Sequence, residues 1–119
     1  MKIFLATKNP GKISEFKEIL SGLSVDLVTC NDLEIPDVEE TGSTFVENAI
    51  LKARSASKTT KLPSIADDSG IEVDFLEGRP GVWSARYAGI DATNDENNLK
   101  LLSELQGVAE NERGACYRL

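Results

Sequence analysis

Short apolar runs alternate with amphipathic stretches along the chain. Apolar or alternating residues with β-branched members predict strands at residues 2–6, 25–29, 64–66 and 71–75, and a further strand opening at residue 115. Apolar residues at helical spacing predict helices over residues 12–20, from 44 to about 59, and from 93 to near 107. A short helical segment is predicted at 82–87. Because strands and helices alternate, the chain is expected to adopt a layered α/β fold.

Two of the predicted helices carry a start signal. Thr44 with Glu47, and Thr93 with Glu96, have the S/T-x-x-E spacing of a capping box. In that motif the hydroxyl and the carboxylate each accept a hydrogen bond from backbone N–H groups of the first turn. A helix is therefore expected to begin at each of these threonines.

Length, charge and cysteine content narrow the functional classes. A chain of 119 residues can bury one core, so residues 1–119 are expected to form a single domain. A net charge of −7 argues against broad binding to nucleic acid polymers or anionic membranes. No apolar stretch approaches the ~20 residues of a membrane span. Two distant cysteines favour a reducing compartment, so a cytoplasmic location is expected.

The sequence contains no histidine. This excludes Ser-His-Asp and Cys-His catalysis and every histidine-ligated zinc site. Any chemistry must therefore rely on carboxylates, lysines, hydroxyl groups and a hard metal ion. A small phosphorylated ligand remains compatible with the negative net charge, because a few lysines placed close together outweigh it locally.

A strand–loop–helix near the start of the chain is the first candidate site. Thr7, Asn9, Gly11 and Lys12 fall where a helix start presents unpaired backbone N–H groups, which suits an anion. Gly11 would let the backbone approach a phosphate, and Lys12 would add a full charge. The spacing is not that of a P-loop. An ordinary turn with an exposed lysine is the alternative.

Two acidic segments are the next candidates. Glu39 and Glu40 directly precede a helix start, where either a metal ligand or the helix dipole accounts for the negative charge. Asp67 and Asp68 follow an apolar strand, at the strand end where ligand crevices form in α/β sheets. Either an Asx turn or a cation that relieves the mutual repulsion of the two acids explains this pair.

Several other charged or aromatic residues have a plain structural interpretation when each is taken alone. The basic residues expected to be solvated surface charges are Lys52, Arg54, Arg79 and Arg86. Trp83 and Tyr87 lie four residues apart and would share a helical face. Core packing is the expected role of that face, and stacking on a base is the less favoured alternative.

Combined, these segments provide acids for a hard divalent metal and lysines for phosphate, which fits phosphoryl transfer or phosphoanhydride hydrolysis. Five segments in order resemble the inosine/xanthosine triphosphate pyrophosphatase family, from the first strand to about residue 105. They are Thr7-Lys8-Asn9-Pro10-Gly11-Lys12, Glu39-Glu40-Thr41-Gly42, Phe45-Val46-Glu47-Asn48-Ala49 with Lys52-Ala53, Ala66-Asp67-Asp68-Ser69-Gly70, and Pro80-Gly81-Val82-Trp83-Ser84-Ala85-Arg86-Tyr87. Five motifs in one order are far more specific than any single motif.

The resemblance implies a magnesium-dependent enzyme that hydrolyses deaminated purine nucleoside triphosphates (ITP, dITP and XTP) to the monophosphate and pyrophosphate. It also implies a homodimer and an elongated two-lobed α/β fold with a long mixed sheet flanked by helices. The substrate-binding residues that it implies are Thr7, Lys8, Asn9, Pro10, Gly11, Lys12, Lys52 and Ser69. Glu40 and Asp68 are the implied magnesium ligands, and Asp68 also matches the proton acceptor of the family.

The sequence departs from the family in one respect. Members of the family carry two further segments that recognise the base, Phe-Gly-Tyr-Asp and Ser-His-Arg, and neither occurs here. A truncated N-terminal portion with weak or absent activity and poor base selectivity is therefore expected. Two other classes stay open: a non-catalytic nucleotide-binding or interaction module, and a phosphatase that forms an aspartyl-phosphate, although the Asp-x-Asp spacing of the latter is absent.

Overall fold

The computed structural model describes residues 1–119, and its first strand is the centre of a parallel sheet. β1 (Lys2–Leu5) pairs on one side with β2 (Asp26–Val28) and on the other with β3 (Ser64–Ile65). Phe4 and Leu5 are fully buried although they point to opposite faces of the strand. This is the behaviour of a central parallel strand that is covered on both faces.

The chain divides into two compact units, Met1–Asp67 and Asp68–Leu119, and each is described by itself. The first contains the parallel sheet together with α1 (Pro10–Leu20) and α2 (Phe45–Thr60). The predicted strands and helices of this half are present with boundaries shifted by one or two residues. The prediction that residues 1–119 form one domain stays a prediction.

Packing of α2 against β1 and β3 forms the core of the first unit. Ala56 is completely buried on the inner face of the helix, and its small side chain lets the helix approach the strands closely. The cluster consists of Phe4, Ala6 and Ala56, with Val28, Ile35, Leu62 and Ala66 packed against it. A larger side chain at Ala56 would overfill this contact and push the helix away from the sheet.

The apolar stripe of α1 is buried only in part. Ile13 is 7 % exposed, whereas Ile19, two turns further along, is 72 % exposed. Phe16 and Leu20, the other members of the stripe, are half-buried. Helical spacing therefore identified the correct face of the helix but not how far its burial extends.

The second unit is built on an antiparallel pair of strands. β4 (Gly70–Val73) pairs with β5 (Ala115–Arg118). Between them lie α3 (Asn94–Glu104) and shorter 3-10 turns at Asp74–Leu76, Gly81–Arg86 and Glu110–Glu112. The strand predicted over residues 71–75 thus ends earlier, because the chain turns into a 3-10 segment at residue 74. The core of this unit consists of Val73, Leu76 and Leu105, with Ile71, Leu101 and Val108 packed against it.

The two predicted capping boxes differ in the structure. At α3, Thr93 accepts from the Glu96 backbone N–H while the Glu96 carboxylate accepts from the Thr93 backbone N–H, so the box is complete. At α2, Thr44 caps the Glu47 N–H at 3.1 Å. The Glu47 carboxylate, however, accepts from the backbone N–H and hydroxyl of Ser43, one residue earlier than predicted. Both helices nevertheless begin where the threonines indicate.

The aromatic residues of the 3-10 segment do not share the expected core role. Trp83 is 57 % exposed, so the interpretation as a core residue is wrong for it. The Arg86 guanidinium lies over its ring, 4.5 Å from the centroid, in a cation–π arrangement. Tyr87 is half-buried, and its hydroxyl donates to the Glu104 carboxylate. Partial burial and this hydrogen bond both raise the pKa of the Tyr87 phenol.

The α/β class is confirmed, with parallel and antiparallel pairings in separate sheets. The strand–loop–helix predicted near the start of the chain is present in the first unit: β1 is followed by a short loop and then by α1. No helix in the molecule is both long enough and apolar enough to cross a bilayer.

Candidate phosphate and metal site

The loop between β1 and α1 is shaped by its own side chains. The carboxamide oxygen of Asn9 accepts from the backbone N–H groups of Gly11 at 2.9 Å and Lys12 at 3.3 Å. Thr7 in turn accepts from the Asn9 backbone N–H at 3.2 Å. Pro10 occupies the first helical position, where its missing N–H costs nothing. Asn9 and Thr7 therefore hold the loop in shape, in addition to the ligand contacts predicted for them.

Gly11 has a steric role that the sequence did not reveal. A Cβ at this position would lie 3.2 Å from Oδ1 of Asn9, the oxygen that caps the helix. The absence of a side chain therefore makes room for the cap. An approach of phosphate to the Gly11 backbone, as predicted, requires the same absence of a side chain and stays a prediction.

Lys12 lies against one of the two consecutive aspartates. Its Nζ is 3.2 Å from Oδ2 of Asp67, and the two side chains are only 19 % and 15 % exposed. The predicted mutual repulsion of the acidic pair is thus relieved on the Asp67 side by a lysine. The other oxygen of this carboxylate, Oδ1, is buried and accepts no hydrogen bond.

A second lysine–carboxylate pair joins α2 to the acidic segment that precedes it, residues 32–42, which contains Asp32, Glu34, Asp37, Glu39 and Glu40. Nζ of Lys52 is 3.6 Å from Oε1 of Glu40, and the side chains are 17 % and 23 % exposed. Lys52 is therefore not the solvated surface charge that it was expected to be when taken alone. Its position on α2 directs a positive charge toward the segment that precedes the helix.

The backbone beside Glu40 is fixed by a buried amide. The Gly42 N–H donates to Oδ1 of Asn48 at 2.7 Å, and Asn48 is completely buried. A Cβ on Gly42 would lie 2.6 Å from that oxygen and 2.6 Å from Cβ of Glu47, closer than real atoms approach. The Glu39-Glu40-Thr41-Gly42 segment is thus clamped to α2 two residues after Glu40, which sets the direction from which Glu40 meets Lys52.

A cavity of about 230 Å³ opens between the first loop, the acidic segment and α2, all within the first unit. It is lined by Ala6, Thr7, Lys8, Cys30, Ile35, Pro36, Asp37, Val38, Glu40, Lys52 and Ser55. Lys8 forms an ion pair with Asp37 at its rim. The hydrogen bond to Asp37 is the main reason that the pKa of the Lys8 ammonium is raised. Four of the predicted site residues therefore meet at one cavity: Thr7, Lys8, Glu40 and Lys52.

Asn9, Pro10, Gly11 and Lys12 belong to the first unit but do not line this cavity. The two other predicted residues, Asp68 and Ser69, belong to the second unit. Asp68 is its first residue and is half-buried. The Ser69 hydroxyl lies 3.3 Å from the Tyr117 hydroxyl on β5, a partner 48 positions away. Whether Glu40 and Asp68 share a metal ion stays a prediction, as do the roles of Asp68 as proton acceptor and of Ser69 as a substrate contact.

The carboxylates of this region fit a hard divalent cation only if substrate phosphates and water supply the other ligands. No three or more His, Cys, Asp or Glu side chains converge into a ready-made metal cluster. Magnesium, however, commonly uses one or two carboxylates and completes its shell with water and substrate phosphates. The buried Oδ1 of Asp67 supplies an oxygen acceptor that lacks a protein donor. The oxygen chemistry at this end of the first unit therefore fits magnesium brought in with a polyphosphate.

The sequence does not reveal the contacts of three residues in this region. Asp67 was recognised as acidic but not as the partner of Lys12. Asp37 belongs to none of the five motifs, and its partner Lys8 lies 29 positions away. Asn48 lies within one of the motifs, but that motif did not indicate its contact with the Gly42 N–H six positions earlier. An asparagine inside a predicted helix near its start is a further signal for Asn48, since asparagine is disfavoured in helix interiors.

Comparison with known proteins places these features in a family. The profile of the Ham1 family matches residues 3–118. The chain is 57 % identical over 116 residues to a protein of Yersinia pseudotuberculosis named dITP/XTP pyrophosphatase, covering 98 % of this chain and 59 % of that protein. It is 52 % identical over 118 residues to a protein of the same name from Thioalkalivibrio sulfidiphilus, covering 99 % of this chain and 60 % of that protein.

Solved structures show the same likeness. A HAM1 protein from Coxiella burnetii is similar with a TM-score of 0.85 and 45 % identity, over 98 % of this chain and 59 % of that one. A nucleoside-triphosphatase, dITP/XTP pyrophosphatase, from Mycobacterium abscessus is similar with a TM-score of 0.79 and 42 % identity, over 98 % of this chain and 62 % of that one. The chain thus spans about three fifths of the length of these relatives.

The fold and the cavity together define a class of α/β protein. In this class, lysines of the first βα loop and of α2 lie beside carboxylates. The chain belongs to the Ham1 family. The resemblance to the inosine/xanthosine triphosphate pyrophosphatases, recognised from five motifs, is thereby confirmed.

Proposed function

We propose that the whole protein is a nucleoside triphosphate pyrophosphohydrolase that converts deaminated purine triphosphates (ITP, dITP and XTP) to the monophosphate and pyrophosphate. The observation that carries the proposal is the cavity in which Lys8 and Lys52 lie beside Glu40, next to the helix start at Asn9. Cations for phosphate and a carboxylate for a metal are the two requirements of this chemistry. The names of the curated relatives supply the substrate class.

The lysines would bind the polyphosphate by exchanging partners. In the free protein, Lys12 and Lys52 each face a carboxylate, Asp67 and Glu40 respectively. A triphosphate that enters the site offers oxygens of higher charge to both ammonium groups. The carboxylates are then released from the lysines and become available to a cation, so charge stays balanced on both sides of the exchange.

Glu40 and Asp68 are the residues proposed to hold magnesium. When bound, magnesium would neutralise charge on the phosphate oxygens and lower the barrier to attack. Asp68 would accept a proton from the water that attacks the α-phosphorus. The bond between the α-phosphorus and the bridging oxygen then breaks, and pyrophosphate leaves with the electron pair. The loop of Thr7 to Lys12 would keep the phosphate chain extended during this step.

Two further properties implied by the family, a homodimeric assembly and a magnesium cofactor, complete the proposal. A cytoplasmic location, expected from the two distant cysteines, and the absence of a nucleic acid polymer or membrane partner belong to it as well. Net charge supports the last point, since −7 repels polyanions at long range.

The test is product analysis with ITP and ATP in the presence of magnesium. Pyrophosphate release from ITP that is abolished in Asp68→Asn and in Glu40→Gln supports the proposal. Asp95→Asn, an exposed carboxylate on α3, is the matched control and should retain activity. Orthophosphate as the sole product would favour the aspartyl-phosphate alternative. Nucleotide binding without hydrolysis, unchanged in Asp68→Asn, would favour a non-catalytic binding module.

A further inference from the structure

The Lys8–Asp37 ion pair spans the rim of the cavity. It joins the first βα loop to the acidic segment, across 29 positions of sequence. Both residues line the same cavity as Glu40 and Lys52. A ligand that fills this cavity and contacts Lys52 of the inner pair (Lys52 and Glu40) is therefore bounded by the rim pair (Lys8 and Asp37) as well.

The rim pair and the inner pair differ sharply in exposure. The side chains of Lys8 and Asp37 are 59 % and 85 % exposed, against 17 % and 23 % for Lys52 and Glu40. Exposed ion pairs contribute little to stability, because water screens both charges. The rim pair can therefore open at small cost, whereas breaking the inner pair leaves two less hydrated charges.

Charge balance favours replacement of Asp37 by a phosphate at Lys8 over a Lys8–Asp37 pair that simply opens. A lysine ammonium has three donors and no acceptor, so it can pair with either a carboxylate or a phosphate oxygen. Once displaced, the highly exposed Asp37 carboxylate is hydrated at once, while Lys8 gains a more highly charged partner. A polyphosphate at the cavity thus competes with Asp37 for the same ammonium group.

We propose that Asp37 is an internal competitor for the polyphosphate: it holds Lys8 at the rim and yields it when the ligand binds. The proposal rests on the proposed function, since it takes the cavity to be a phosphate site. Asp37 is then a positioning residue that acts through Lys8. It weakens the binding of phosphate ligands in general and keeps the lysine aligned over the cavity in their absence.

Inorganic tripolyphosphate is the probe, because it carries the phosphate chain without a base. Its dissociation constant is measured by calorimetry for the full chain and for Asp37→Asn, Lys8→Met and the double variant. Asp37→Asn should bind about two- to fivefold more tightly, the range expected for loss of one exposed ion pair. Lys8→Met should bind more weakly, and adding Asp37→Asn to it should change the dissociation constant only by the small amount expected for loss of a nearby negative charge.

Glu34→Gln is the matched control for charge. Glu34 is an exposed carboxylate of the same acidic segment that acts on Lys8 through the field alone, without a hydrogen bond. Its removal should alter the dissociation constant clearly less than Asp37→Asn does. Raising the salt concentration should shrink both effects, since exposed charges are screened.

The outcomes separate this proposal from the proposed function. Equal gains in Asp37→Asn and Glu34→Gln, or a gain that persists at full size in the Lys8→Met background, would overturn the role of Asp37 and leave the phosphate site standing. Absence of tripolyphosphate binding in both the original chain and Asp37→Asn would overturn the two together. If Asp37→Asn binds tripolyphosphate tightly and ITP is not hydrolysed, the competing role of Asp37 stands and only the catalytic proposal is overturned.

Discussion

The backbone N–H of Gly42 donates to Oδ1 of Asn48 at 2.7 Å, and a Cβ on Gly42 would collide with that same oxygen at 2.6 Å. The hydrogen bond therefore depends on the absence of a side chain at Gly42. It connects the acidic segment to α2 next to Glu40. Because Asn48 is completely buried, this contact cannot be replaced by water.

A methyl group at Gly42 should disturb this contact. Gly42→Ala is expected to lower the free energy of unfolding by about 1–3 kcal/mol, because an overpacked site must shift its neighbours. Urea denaturation measures the change. Gly22→Ala is the control, since nothing lies within 4 Å of a Cβ there, and it should change stability by less than about 0.5 kcal/mol. Equal losses in the two variants would contradict the steric interpretation.

Removing Lys12 should leave Asp67 without its cation in a poorly hydrated place. Lys12→Ala is expected to lower the free energy of unfolding by about 1–3 kcal/mol, the cost of a poorly solvated polar group left without a partner. Lys58→Ala, an exposed lysine on α2, should have almost no effect. Adding Asp67→Asn to Lys12→Ala should restore part of the loss. A double-mutant cycle in which the two effects simply add would show that the pair contributes nothing.

Ser84 fastens the 3-10 segment to β4. Its hydroxyl oxygen accepts from the Ile71 N–H at 3.0 Å and donates to the Gly81 carbonyl at 2.6 Å. Ser84→Ala should therefore destabilise the protein by about 1–2 kcal/mol, as the Ile71 N–H loses its partner. Ser103→Ala is the control, because that hydroxyl is exposed and bonds only within α3. A smaller loss for Ser84 than for Ser103 would refute the assignment.

The capping box of α3 should make stability depend on acid pH. Hydrogen bonds from the Thr93 backbone and side chain lower the pKa of Glu96 below its ordinary value of 4.5. A carboxyl whose pKa is lower in the folded state stabilises the protein above the unfolded value, and this contribution is lost as the pH falls through the folded value. The melting temperature of the original chain should exceed that of Glu96→Gln at pH 7. The difference should begin to shrink as the pH falls below 4.5 and should vanish only below the lowered pKa of the folded state. A difference that is constant with pH would count against this cause.

Elements set by neighbouring residues were predictable from the sequence. Thr93 with Glu96 marks the start of α3, because this cap is completed within three positions. The start of α1 was predicted at residue 12, two residues after its actual start at Pro10. The extent of burial was less predictable. Trp83 has the hydrophobicity of a core residue, yet it lies 57 % exposed beneath the Arg86 guanidinium. No local pattern reports which face of a short 3-10 segment meets the rest of the unit.

The site divides in the same way. The sequence by itself determined the chemical inventory: no histidine, lysines in the first loop and on α2, carboxylates before α2 and after β3, and therefore the family. Only the tertiary structure decided the partners, pairing Lys12 with Asp67, Lys52 with Glu40 and Lys8 with Asp37. The reason is physical. Caps and strand patterns act over a few residues, whereas an ion pair forms wherever folding brings opposite charges within about 4 Å, at any separation along the chain.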